Sequence, residues 1–113
     1  MSKISLNYFF KGKPNDKNMD FNTFESTLND PQPPWECTPL VQALWYDANE
    51  NWEQAHNIAQ SKEGMRDYDR LHAYLHRKEG DQWNAGYWYR RARAEMPTYS
   101  LEKEWEELVK GWL

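Results

Sequence analysis

Gly80 followed at once by Asp81 restricts the fold of this chain more than any other feature of it. The pair cuts a helix-favouring stretch in two. Glycine takes the left-handed conformation that ends one helix, and aspartate caps the start of the next. The upstream piece, about 66 to 79, places Tyr68, Leu71, His72 and Leu75 on one face. The downstream piece, about 82 to 95, carries Trp83, Ala85, Tyr87, Trp88, Tyr89 and Ala92, and Pro97 forbids its continuation. A stop and a start with no spacer between them make two helices fold back as antiparallel neighbours.

The same punctuation recurs upstream. Thr38 as N-cap with Pro39 at the first helical position opens a helix striped by Leu40, Ala43 and Leu44 and ending near Asn49. Asn51-Trp-Glu-Gln54 opens a second helix, with Trp52, Ala55, His56 and Ala59 on one face and Ser61-Lys-Glu-Gly64 as its end. Leu44-x4-Asn49-Glu50-x-Trp52 aligns with Leu75-x4-Gly80-Asp81-x-Trp83 at an offset of 31 residues, making Asn49 and Gly80 the expected hinges. A last helix opens at Ser100. In it Leu101, Trp105, Leu108 and Trp112 form one apolar stripe, while Glu102, Glu106 and Lys110 face away.

The expectation is therefore an all-α fold: two antiparallel helical hairpins and a C-terminal amphipathic helix over residues 39–113, behind an N-terminal extension of residues 1–38. At 113 residues the chain is one domain, too short for two independent cores. Within the extension, Ile4, Leu6, Tyr8, Phe9 and Phe10 form an apolar lead-in, and Asn22-Thr-Phe-Glu25 reads as the capping box of a short helix over about 23–29. Residues 30–39 hold four of the six prolines and read as extended, with Trp35 pinning them to the surface of the domain.

Composition narrows the classes further. Aromatics make up 16% of the chain, including seven Trp and seven Tyr, which is more than a disordered segment carries and enough for a core despite 39% hydrophobic residues. No apolar run approaches the roughly 20 residues of a membrane span, and no secretory signal pattern opens the chain. Cys37 is the single cysteine, which excludes an intrachain disulfide and cysteine-based zinc sites; a reducing cytoplasm is the expected compartment, with Cys37 an inert small residue. Net charge runs −4 over residues 1–65, +3 over 66–94 and −3 over 95–113. Arg90, Arg91 and Arg93 interleave with Tyr87, Trp88 and Tyr89, the composition of a nucleic-acid stacking face. With a net charge of −4 they read instead as snorkelling side chains or partners of the acidic flanks, and neither nucleic acid nor membrane is expected as a partner.

Residues 73–97, Ala-Tyr-Leu-His-Arg-Lys-Glu-Gly-Asp-Gln-Trp-Asn-Ala-Gly-Tyr-Trp-Tyr-Arg-Arg-Ala-Arg-Ala-Glu-Met-Pro, resemble a tetratricopeptide repeat. Gly80-Asp81 at the turn, Ala85, Tyr89, Ala92 and Pro97 match that family's spacing. Tyr-Trp-Tyr-Arg-Arg-Ala also looks like the second helix of Sel-type repeats. The first helix departs from the pattern at Asp69, His72 and His76, and the upstream hairpin departs at Ala59 and Lys62. The wider pattern, Trp52-x2-Ala-His56 followed by Leu-His-Arg-Lys-Glu-Gly-Asp, also resembles small uncharacterised bacterial proteins. The resemblance implies stacked helical hairpins and a protein-binding role. A solenoid groove takes about three repeats, and two hairpins are visible, which favours self-association.

His72 and His76 stand at i and i+4, a spacing that lets two imidazoles reach one metal, and His56 lies on the face that packs towards them. Glu79 or Asp81 could serve as a carboxylate ligand or orienting group. A hydrogen-bonded core role for these histidines is the competing reading. Asp67 and Asp81 have ordinary places in first turns and caps. No nucleophile elbow, phosphate loop or H-E-x-x-H motif is present. The helix over 82–95, apolar on nearly every side, is expected to be buried all round, with surplus aromatic surface left for a partner. Two functional expectations follow. The first is a non-enzymatic module for protein binding or homodimerisation, contacting its partner through Trp83 and Tyr87 and needing no cofactor. The second is a divalent-metal or small-ligand site at His56, His72, His76, Glu79 and Asp81, including hydrolytic chemistry.

Overall fold

Among the described residues, five of the six α-helices begin on a side chain that accepts the orphan N–H three residues on. Asp20, Thr38, Asn51, Asp81 and Ser100 accept from Thr23, Val41, Gln54, Asn84 and Lys103 at 2.8, 3.5, 3.1, 3.1 and 3.1 Å. They open α1 (Phe21–Ser26), α2 (Pro39–Ala48), α3 (Trp52–Gln60), α5 (Gln82–Arg91) and α6 (Leu101–Trp112). Met65, ahead of α4 (Arg66–Glu79), offers no side-chain cap; Asp69 reaches back instead and accepts from the Gly64 N–H at 3.1 Å. The structure, a computed structural model, describes residues 19–113, so the apolar lead-in at Ile4, Leu6, Tyr8, Phe9 and Phe10 lies outside the described residues. The fold of the described residues is all-α, without strands. None of their helices is long and apolar enough to cross a membrane.

The two hairpin turns are built alike, thirty residues apart. Gly80 has φ 89°, with the Asp81 N–H bonded to the His76 carbonyl at 3.0 Å; Glu50 has φ 64°, with the Asn51 N–H bonded to the Tyr46 carbonyl at 2.9 Å. Each is a Schellman stop whose following residue caps the next helix. The true equivalence is Glu50 with Gly80 and Asn51 with Asp81, which corrects both the offset of 31 and the hinge at Asn49, a residue that keeps φ −94°. A third stop of the same kind corrects the end of α5. Arg93 takes φ 57° and the Ala94 N–H reaches the Tyr89 carbonyl at 2.9 Å, so the helix ends at Arg91, well before Pro97. In the extension, Asp20 caps α1 two residues ahead of the expected Asn22, and a 3₁₀ turn, Thr27–Asn29, follows.

Sequential helices pack side by side: α2 on α3, α3 on α4, and most extensively α4 on α5, with α6 returning onto α2 and α4. Small residues set the close approaches. Ala55 and Ala59 on α3, Ala73 on α4 and Ala85 on α5 are fully buried. The main core joins Val41, Leu44, Trp45, Leu71, Tyr74, Leu75 and Val109, and Phe24 from α1 belongs to it. Three indoles tie helices together by donating to backbone carbonyls: Trp45 to Thr27 at 3.0 Å, Trp52 to Leu75 at 2.8 Å and Trp105 to Leu44 at 2.9 Å.

Two buried carboxylates complete the frame. Glu104, fully buried, is held by Arg70 at 2.7 Å, Arg77 at 2.6 Å and the Tyr89 hydroxyl at 2.5 Å, linking α6 to α4 and α5. Asp47 takes the Tyr74 hydroxyl at 2.8 Å and the Lys78 ammonium at 2.8 Å, linking α2 to α4. Thus Arg70 and Arg77, rather than Arg90, Arg91 or Arg93, bind the acidic C-terminal flank. Trp35 is 84% exposed and pins nothing. The Pro-rich segment is held instead by Gln42, whose amide donates to the Pro34 and Cys37 carbonyls at 3.3 and 2.9 Å.

Candidate functional site

His56 projects from α3, and His72 and His76 project from α4, one turn apart. The close packing of α3 on α4 over alanines brings the three rings into one cluster, in which the candidate ligand atoms all lie within 4.8 Å of one another. His56 Nε2 and His72 Nε2 are 3.0 Å apart. His76 turns Nδ1 onto Glu79 Oε2 at 2.7 Å, which leaves Nε2 for a further partner. Two indoles close the cluster. Trp52 stacks on His56 with centroids 4.6 Å apart and an interplanar angle of 11°; Trp88 stacks on His72 at 3.9 Å and 16°.

His72 is the centre of the arrangement and 3% exposed. Its Nε2 meets His56, and its Nδ1 is buried with no hydrogen-bond partner among the described residues. Burial, with His56 and His76 close by, holds the His72 imidazolium down to a pKa of about 4. Burial likewise lowers His56, with His76 adding to the effect and Glu79 and Glu63 opposing it. Burial thus favours the neutral form of His56 and His72, whose Nε2 atoms are aimed at one another rather than at backbone carbonyls.

A second trio, His76, Glu79 and Asp81, shares His76 with the first. Its chemistry is already spent on structure. Asp81 Oδ1 accepts from the Asn84 N–H at 3.1 Å and Oδ2 from the Asn84 amide at 2.7 Å, and these bonds lower its pKa. Asp81 is therefore the cap of α5, while Glu79, beside His76, is placed to orient that ring.

Trp83 and Tyr87, the other two expected site residues, lie on the outer face of α5, 78% and 37% exposed. Only Ala85 and Tyr89 of α5 are buried, which corrects the expectation of a helix covered on all sides; α4 covers one face and, among the described residues, no further helix packs outside it. Arg91 lies over the rings of Tyr87 and Trp88, 5.7 and 5.3 Å from their centroids, and donates to the Tyr87 hydroxyl at 2.9 Å. Trp52 and Trp88, which enclose the histidines, were not singled out as site residues from sequence. Trp52 stands four residues before His56 on one helix face, and that spacing was the available signal.

No protein-family model, curated protein or solved structure matches this chain.

Proposed function

We propose that this domain is a non-enzymatic interaction module whose partner is a second copy of itself, and whose contact surface is the outer face of α5. The observation that carries this reading is Trp83, 78% exposed at the open end of the helical stack beside Tyr87 and Arg91. Trp, Tyr and Arg are the residues that dominate interface hot spots. The tetratricopeptide-like reading is supported by the places its spacing residues take: Gly80 at the turn, with Ala85, Tyr89 and Ala92 buried. An end helix of such a stack needs either a polar outer face or a cover.

Two-fold symmetry favours a like copy as the cover, because each contact made by Trp83, Tyr87 and Arg91 of one copy is then made again by the other. Light scattering over a concentration series tests the reading. The expected result is a dimer weakened at least about tenfold by Trp83→Ala or Arg91→Glu. A protein that stays monomeric at roughly millimolar concentration, or that dimerises equally well without Trp83, overturns it.

A further inference from the structure

We propose that His56, His72 and His76 form a binding site for one divalent transition-metal ion of the imidazole-preferring class, zinc or copper, with Glu79 as the orienting carboxylate behind His76. The proposal is independent of the dimer reading: it rests on histidines of α3 and α4 rather than on Trp83.

Geometry supports it first. Two nitrogens bound to a tetrahedral zinc at about 2.0–2.1 Å sit roughly 3.3 Å apart. His56 Nε2 and His72 Nε2 are already 3.0 Å apart, and one nitrogen from each of the three rings lies within 4.8 Å of the others. Closing that triangle needs side-chain adjustments on the order of 1 Å, within the reach of χ rotations on two packed helices.

The bonding of His72 sets it apart from an ordinary core histidine: Nε2, turned to His56, is the atom an ion would take, and Nδ1 has no part in the ligand set. A neutral imidazole carries one N–H and one lone pair, and a buried ring normally satisfies both. His72 uses only Nε2, although it is 3% exposed. In either tautomer the buried Nδ1 is left over, at a cost of roughly 1–3 kcal/mol. A core histidine of ordinary kind would aim that atom at a carbonyl or a hydroxyl. Here His72 instead turns Nε2 to His56 Nε2, and one nitrogen from each of the three rings lies within 4.8 Å of the other two.

The surroundings of the trio are those of a metal ligand set. Glu79 Oε2 at 2.7 Å from His76 Nδ1 fixes that ring's tautomer and presents Nε2, the carboxylate–histidine pairing that commonly stands behind metal ligands. Trp52 and Trp88 hold the other two rings face-on, and Trp52 is itself fixed by its bond to the Leu75 carbonyl. Three neutral imidazoles without a thiolate suit zinc or copper rather than magnesium or calcium, which take oxygen ligands. Three ligands leave a fourth position on a tetrahedral ion.

The test uses the full, untagged chain stripped by a chelator and then titrated with Zn(II) by calorimetry, with Co(II) absorption reporting the coordination geometry. The expected result is one ion per chain, a tetrahedral visible spectrum, and quenching of tryptophan fluorescence by Cu(II), since two indoles stack on the ligands. His72→Ala should weaken binding at least about a hundredfold, and Glu79→Gln by about 10–100-fold with the spectrum retained. His56→Gln, at the exposed edge, stands in if His72→Ala does not fold. A folded wild-type chain that takes up no stoichiometric metal overturns the proposal, as does full-affinity binding by the folded His56→Gln or His72→Ala variant.

Discussion

The Tyr89 hydroxyl donates to Glu104 at 2.5 Å, joining the middle of α5 to a fully buried carboxylate on α6. Arg70 and Arg77 close on the same carboxylate from α4, so one side chain binds three helices. Removing Glu104 would take the carboxylate from two guanidiniums that are 18% and 13% exposed, leaving Arg77 its bond to the Tyr99 carbonyl. Breaking a buried pair from one side costs several kcal/mol. Glu104→Ala should therefore destabilise the fold by about 3 kcal/mol, and Glu102→Ala, on the exposed face of the same helix, by less than about 0.5 kcal/mol. Urea unfolding of the two variants decides it; equal midpoints would mean the network contributes nothing.

The two hairpin turns make a paired prediction. Gly80 sits at φ 89° without strain, whereas Glu50 holds φ 64° with a β-carbon that disfavours it. No atom lies within 4 Å of a β-carbon built on Gly80, so only backbone conformation opposes a side chain there. Gly80→Ala should cost about 1 kcal/mol, and Glu50→Gly should stabilise by a few tenths to about 1 kcal/mol. Thermal melts giving the same sign for both substitutions would refute the equivalence of the turns.

That equivalence also explains what the sequence hid. Caps are local chemistry, and Thr38, Asn51, Asp81 and Ser100 could be read because a side-chain oxygen three residues before a free N–H is visible in the letters. The left-handed stops at Glu50 and Arg93 could not, since neither residue prefers that conformation. Hence the letters alone place the repeat one residue out of register and carry α5 four residues too far.

The site was legible to the same extent. The spacing of His72 and His76 on one helix is a one-dimensional fact. Their meeting with His56 depends on how closely α3 approaches α4, which Ala55 and Ala59 permit but do not announce. Glu104 and Asp47 were invisible as buried groups, because their partners Arg70, Arg77, Tyr89, Tyr74 and Lys78 come from helices distant in sequence.

The tryptophans of α5 separate packing from surface. Trp88 stacks on His72 with centroids 3.9 Å apart and joins the small core of Ala73, Ala85 and Tyr89; Trp83, five residues earlier, is 78% exposed. Trp88→Ala opens a cavity beside a buried ring and should cost about 3 kcal/mol. Trp83→Ala should leave monomer stability within about 0.5 kcal/mol. Chemical unfolding at a protein concentration low enough to suppress association measures both, and a large loss for Trp83→Ala would mean that α5 is covered on its outer face.

The histidine cluster should make the metal-free protein acid-sensitive in a defined window. His72 in the folded chain protonates only near pH 4, against about 6.5 when unfolded. Between these values the unfolded chain binds the extra proton, so the stability contributed by the neutral ring is complete above pH 6.5 and is lost as pH falls towards 4. The groups facing the ring do not reverse this. His56 from α3 is lowered in the same direction, and Trp88 from α5 carries no charge. On α4, His76 adds positive charge on protonation and Glu79 is engaged with it. The lost stability amounts to about 3 kcal/mol over the window. Urea midpoints of chelator-treated protein at pH 7, 6 and 5 should fall steadily for the wild type and more shallowly for His72→Gln, which has nothing to titrate at that position. Parallel slopes for the two proteins would show that His72 already meets solvent or an anion in the folded state, and the buried, half-bonded ring described above would be wrong.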